Sequence, residues 1–411
     1  MAHSSLPTSA KELSTSTAPW LGISGLLIVL AGLHVVVDTS ACIVTPLWPK
    51  LERHLLMADG SVLWLIVLWN MTTSFSQFFF GWFADQYRAR WLIWAGPCVA
   101  VICMSSIGLA QNTATAAILL ALGGLGIAAF HPEAAATAGA TSPENRSRAM
   151  SVFAIGGYLG QALGPATGGG LVEAFGFPGL ILVMALVFLV LPAISLRSFR
   201  QSFDAIASKS PSEPLRVALR GRSWGISLVL IIQTLRVITT MGIPLSLTFL
   251  LDQLGRSTGQ IGFVSSMFMV GIGLGGVACA LTVQRRYERR MLFVLPILVV
   301  APLMLIPMWL DSIPATSALV LVCGVCLGLV LPIMIGYGQQ LIPSAQRLAS
   351  SLTMGVSWGI GGTLLAGYLY LLKSSNTVAS AFFAFALASV LSSLASLALP
   401  QLVTPSDDRP V

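Results

Sequence analysis

Three charged side chains stand inside long apolar stretches: Asp38, Glu133 and Arg236. His34 lies four residues before Asp38, and His131 two before Glu133. Charge buried in hydrocarbon is costly, so such groups face a cavity or a partner and handle protons or a charged solute. His34 and Asp38, at i and i+4, share one helix face. Desolvation and neighbouring charge shift a carboxyl's proton affinity in opposite senses. A protein that alternates access to such a group couples protonation to conformation. On this chemistry Asp38 is the leading proton carrier, with His34 as a relay or a hydrogen-bonding partner for substrate. Its competing use is a structural pair with Arg236 or with His34. Glu133 lies close to the inner end of its helix and serves equally as a proton site or a gate residue. Pro132 weakens the helix there, and His131 beside it is grouped with the gate.

Enzyme chemistry is poorly supported. The four histidines (His3, His34, His54, His131) form no motif with the six cysteines, and the Cys323–Cys326 CxxC lacks a second pair or a nearby His. Neither a metal, a cofactor nor a disulfide is expected, and the cysteines read as buried thiols.

The elements around these residues follow from composition. Of 411 residues, 55% are hydrophobic and 9% charged, against roughly 25% charged in a soluble domain. That excludes a soluble enzyme, a disordered chain and a coiled coil, and leaves an all-α integral membrane protein. The net charge of +7 does not point to nucleic acid, because the basic residues fall between apolar segments. Twelve segments are long enough to span: about 20–46, 61–84, 91–110, 114–138, 147–172, 177–196, 223–250, 260–283, 291–310, 315–340, 346–372 and 376–400. The expected organisation is a disordered cytoplasmic tail (1–19), a six-helix bundle (20–196), a cytoplasmic linker (197–222), a second bundle (223–400) and a cytoplasmic tail (401–411). With the N-terminus inside, seventeen Lys and Arg fall on the cytoplasmic side, against four (Lys50, Arg53, Arg256, Lys373) on the other. That asymmetry places both termini inside.

The halves repeat. A shift of 200 residues brings Gly124 onto Gly324, Pro132 onto Pro332, Ala149 onto Ala349 and Ser151 onto Ser351. Two parallel six-helix repeats are an architecture of secondary transporters, with the substrate path between them. Polar stripes suit that path. Gln233, Arg236 and Thr240 mark one face of the seventh helix, and Asn70, Thr73, Ser74 and Gln77 one face of the second, where hydrogen bonding between helices is an equal alternative. Tyr158, Gln161, Tyr337, Gln340 and Trp358 are further candidates for the substrate surface, with packing the better reading for each taken alone.

Gly81-Trp-Phe-Ala-Asp85-Gln-Tyr-Arg88-Ala-Arg90 resembles the GxLaDrxGrk loop signature of the major facilitator superfamily, with Arg88 in place of its second glycine. The likeness implies a gating role for Asp85 with Arg88 and Arg90. Gly160-x3-Gly164-Pro165-x2-Gly168-Gly169 is similar to the antiporter motif of facilitator-type drug/proton exchangers. Its glycines leave a flat packing face and its proline a bend. The His34…Asp38 pair, Phe130-His131-Pro132-Glu133 and Tyr337-Gly-Gln-Gln340-Leu-Ile-Pro343 before Gly359-Ile-Gly361-Gly362 together resemble the fosmidomycin-resistance family. That resemblance implies the major facilitator fold and proton-driven export of small molecules from the inner membrane by a monomer. Its partners would be substrate, protons and membrane lipid. An uptake symporter or uniporter on the same fold, or a transporter-like sensor, is the alternative.

Overall fold

A run of apolar residues in lipid must satisfy its backbone internally, which selects helices. The computed structural model describes residues 17–18, 23–87, 89–141, 146–186, 220–282, 287–342, 349, 351–374 and 378–400. Arg88, most of the central linker and most of both tails lie outside these residues, as do the side chains of Asp85 and Gln86.

The helices are α1 (Gly25–His54), α2 (Val62–Ala84), α3 (Leu92–Leu109), α4 (Thr113–Ala140) and α5 (Arg146–Phe175). α6 begins as 3-10 turns at Phe177–Leu186, and the rest of the expected sixth span lies beyond the described residues. The second half contributes α7 (Ser223–Gln253), α8 (Thr258–Thr282), α9 (Glu288–Met308), α10 (Ile313–Leu341), α11 (Ser351–Lys373) and α12 (Val378–Ser396). Ten of these are long and apolar enough to cross a membrane. α5, with 30 residues, has the length but dilutes its apolar content with glycine. Together with α6 this agrees with twelve spans in two sets of six. Strand pairing among the described residues amounts to Thr17–Ala18 against Ile23–Ser24.

Local chemistry sets several boundaries. Ser24 and Asn112 cap α1 and α4, accepting from Leu27 N at 3.2 Å and Thr115 N at 2.9 Å. Gly255, at φ +70°, turns the chain from α7 into α8. Prolines 132, 165, 244 and 332 sit inside their helices, where each deletes one ladder bond.

Two departures from regular α-helix were not expected. Met71–Phe75 in α2 and Ser351–Val356 at the start of α11 are π-helical, and the two segments pack together. A π turn inserts a residue into the helical register, so the stripe expected on α2 does not form one continuous face.

α5 packs closely on α1 within the first half and on α8 across to the second. Toward α1 its glycines form a stripe. A Cβ at Gly160 would lie 2.5 Å from the Val35 carbonyl, and one at Gly164 2.6 Å from Cys42 Cβ. A Cβ at Gly168 would collide with the Ile43 carbonyl. Gly169 faces the other way, onto Thr258 of α8. The Ala166 amide, beside Pro165, donates to Ser266 Oγ across the same interface at 3.0 Å.

The halves also touch through α2 and α11. At the end bearing the basic loops, Gly81 lies against Pro132 and Ser351. At the opposite end, ion pairs join the halves. Arg53 donates to both Asp252 oxygens at 2.6 and 2.7 Å. Lys373 pairs with the buried Glu52, and with Asp59 at 2.7 Å. Glu173 accepts from Ser257 Oγ and Gly259 N, both at 2.7 Å, where its charge complements the N-terminus of α8. Both central charges are buried: Asp38 is 4% exposed and Arg236 1%.

Candidate functional site

Three helices bring four polar side chains together in the first half. α1 supplies His34 and Asp38, α4 supplies His131 and α5 supplies Gln161. The glycine stripe makes this possible. A Cβ at Gly157 would lie 2.6 Å from the His34 ring, and one at Gly160 2.8 Å from Asp38 Cβ. The His34 ring stacks on Phe153 at 4.2 Å and meets the His131 ring edge-on at 5.1 Å.

Asp38 receives from three directions. Gln161 Nε2 donates to Oδ2 at 2.9 Å. His131 Nε2 lies 3.2 Å from Oδ1, and His34 Nε2 3.5 Å from Oδ2. The far side of each imidazole is also fixed: His34 Nδ1 meets the Phe153 carbonyl at 2.9 Å, and His131 Nδ1 the Ile127 carbonyl at 2.8 Å.

These contacts constrain the protons. A carbonyl oxygen only accepts, so both Nδ1 atoms carry hydrogen. In a neutral imidazole the other nitrogen then presents a lone pair. Both lone pairs would point at one carboxylate, lone pair against lone pair. A proton placed between Nε2 and the carboxylate turns that contact into a charge-assisted hydrogen bond. The cluster is therefore arranged around protons beyond those of two neutral imidazoles and a carboxylate. The three ligating groups lie within 4.8 Å of one another, close enough for a metal ion to bridge. The Gln161 amide argues for a proton instead, because its N–H groups occupy Oδ2 and would face a cation.

His131, grouped from sequence with the gate, thus stands beside Asp38. Asp38 pairs with the histidines and not with Arg236. Gln161, a cavity candidate, is committed to Asp38. Glu133 is half-buried and has Arg90 as its electrostatic neighbour, toward the basic end and apart from the Asp38 cluster.

The second-half candidates divide. Arg236 Nε donates to Gln233 Oε1 at 2.7 Å, and Gln233 Nε2 donates to the Thr353 carbonyl at 3.2 Å. Thr240 donates to its own helix at the Arg236 carbonyl, 2.9 Å away. Gln77 does the same at Thr73, 2.8 Å. Asn70 is buried against Gly362 of α11. Tyr337, a cavity candidate with packing as the better reading, sits in the core. Its hydroxyl donates to the Pro400 carbonyl at 2.6 Å and its ring joins a core cluster with Leu341 and Leu399. Gln340 follows in the last turn of α10, half-buried. Tyr158, read from sequence as packing, lies within electrostatic range of Arg236. The backbone acceptors at Ile127 and Phe153 have no side-chain signature, and nothing in the sequence could have pointed to them.

Residues 28–366 match the model of the Major Facilitator Superfamily, and the chain belongs to that family. It is a multi-span membrane transporter and not an enzyme. It is 24% identical over 371 residues to the fosmidomycin resistance protein of Escherichia coli (strain K12), covering 88% of this chain and 90% of that one. It is also 24% identical over 359 residues to the uncharacterized MFS-type transporter YfnC of Bacillus subtilis (strain 168), covering 84% and 86%. With multidrug resistance protein MdtG of Escherichia coli (strain 55989 / EAEC) it shares 28% identity over 250 residues, 59% of this chain and 60% of that one.

Proposed function

We propose that the chain exports small molecules in exchange for protons by alternating access, with Asp38 between His34 and His131 as the proton-carrying group. The observation that carries this reading is the anchoring of both imidazoles by Nδ1 on backbone carbonyls, which leaves both Nε2 atoms facing one buried carboxylate. Loading the cluster strengthens it, and unloading leaves lone pairs opposed. A change in its exposure therefore changes its proton occupancy.

The two six-helix units, 20–196 and 223–400, are the moving bodies, linked by residues 197–222 and working as a monomer. The excess of basic residues puts both termini in the cytoplasm. The ion-paired end is then the outer face, and its clasps must part for release outside. Asp85, Arg88, Arg90 and Glu133 belong to the inner gate, and α5 bends at Pro165 as the halves rock. Outward direction is supported by the antiporter-like α5 motif and by relatives whose names denote fosmidomycin and multidrug resistance.

Reconstitution into liposomes with an internal pH dye tests this. Fosmidomycin and a panel of drugs are offered under an imposed pH gradient. Compound-dependent proton movement opposite to the compound is expected in the wild type. Asp38→Asn should abolish it while leaving compound counterflow. Coupled flux that survives in Asp38→Asn removes the assignment, and protons moving with the compound would make the protein a symporter.

A further inference from the structure

Only one of the three guanidinium nitrogens of Arg236 is used. Nε reaches Gln233, while both terminal nitrogens are buried without a hydrogen-bond partner among the described residues. Four of the five N–H donors of the side chain are therefore idle. Gln233 offers Arg236 only Oε1, since its Nε2 is a donor and is turned to the Thr353 carbonyl. No carboxylate among the described residues pairs with Arg236, and its titratable neighbour is the Tyr158 phenol. A buried cation left this way weakens the resting protein, since desolvation is not offset by pairing.

Two more buried donors at this depth lack partners: Asn70 Nδ2 on α2 and Trp358 Nε1 on α11. Packing shows that they share a level. Gly361 lies against Val237, the neighbour of Arg236, and Gly362 lies against the Asn70 side chain. Trp358 is about one turn below these glycines, between them and Thr353, which meets Gln233. Three helices thus each carry a buried, unused N–H group near one level, and one of these groups bears a positive charge.

We propose that Arg236 receives an oxyanion of the transported molecule, a carboxylate, phosphate or phosphonate, and that Asn70 and Trp358 donate to further acceptor atoms of the same molecule. This deepens the transporter reading above and rests on it. The planar guanidinium fork binds two oxygens at once, which selects an oxyanion over a neutral acceptor.

Ligand-induced stabilisation of the purified protein in detergent provides the test, because a ligand that binds the native state raises its melting temperature. The probes are phenylphosphonate and benzoate at millimolar concentration, each against its neutral ester, with chloride at equal ionic strength as the baseline. The anions should raise the melting temperature of the wild type, and the esters should not. Arg236→Gln should weaken the apparent affinity by about tenfold or more, and Arg236→Lys should recover part of it. Without ligand, Arg236→Gln should melt no lower than the wild type, whereas a structural arginine would leave a less stable protein on removal. Equal response to ester and anion, an anion response that persists in Arg236→Gln, a silent panel, or a destabilised ligand-free Arg236→Gln each overturns the proposal. No proton gradient is involved, and Asp38→Asn run alongside should keep the anion response. Failure here therefore leaves the proton assignment standing, and the reverse also holds.

Discussion

His131 and His34 are each held from behind by a backbone carbonyl, and that anchoring gives their front nitrogens a function. Glutamine at position 131 can still donate a hydrogen bond but cannot take up a proton. His131→Gln is expected to fold, to keep compound counterflow and to lose most proton-coupled flux, measured with the same pH dye. Wild-type coupling in this variant would confine the proton to Asp38 and His34. Glu133→Gln should leave coupling intact, because Glu133 lies toward Arg90 and not toward Asp38. At this scale the sequence was half legible. A carboxylate in an apolar run announces itself, and so does a histidine one turn away. That His131 would meet Asp38 was not readable, because their approach depends on how α1, α4 and α5 cross. Nor could composition tell that Tyr337 would turn toward Pro400 while Asn70, Arg236 and Trp358 kept free donors inside.

Among the elements, α5 bears the most demands, since one stripe of glycines accepts α1 and the opposite side accepts α8. Gly164 and Gly170 provide a matched pair within it. A Cβ at Gly164 would lie 2.6 Å from Cys42 Cβ and 2.7 Å from the Thr39 carbonyl, whereas at Gly170 it meets nothing within 4 Å. Gly164→Ala should therefore destabilise by about 1–3 kcal/mol through overpacking. Gly170→Ala should be neutral or stabilising by up to about 1 kcal/mol, from helix propensity. Thermal melting of the two purified variants checks the contrast, and equal effects would remove the close-packing role of the motif. The glycine spacing made α5 recognisable from sequence. The π turns in α2 and α11 were not, because hydropathy follows burial and is blind to one inserted residue. Just beyond the π turn of α2, Gln77 bonds to its own helix at Thr73.

Across the whole molecule, the two halves are clasped by ion pairs at the end away from the basic loops. Of the four basic residues that the charge count left on that side, Arg53 and Lys373 hold the two halves together. Counting charges gave them only an orientation; the docking of α1 against α7 and α11 gives them partners. Glu52 is buried, accepts the Val62 amide at 3.1 Å and faces the buried Lys373 ammonium. Removing its charge leaves Lys373 only the exposed Asp59, and a buried charge stripped of its partner is strongly destabilising. Glu52→Gln should shift the population toward the outward-open form. In a cysteine-free background, a cysteine introduced at Ser257 should then react faster with an impermeant maleimide added outside. An unchanged rate would mean that the pair does not hold the closed form. The duplication was visible as a register of 200 residues, in which the seam acids Glu52 and Asp252 are counterparts, but which cation each would meet from the other half was not.

The idle guanidinium of Arg236 has an energetic corollary. Arg236 stays with the protein, so what crosses the membrane is the charge of the ligands alone. If one proton enters as one monoanion leaves, each cycle carries two positive charges inward. Across a potential of about 100 mV, negative inside, that supplies about 4.6 kcal/mol per turnover. Such a carrier would run on voltage even where the pH is equal on both sides, and a cell in alkaline surroundings could still expel its cargo.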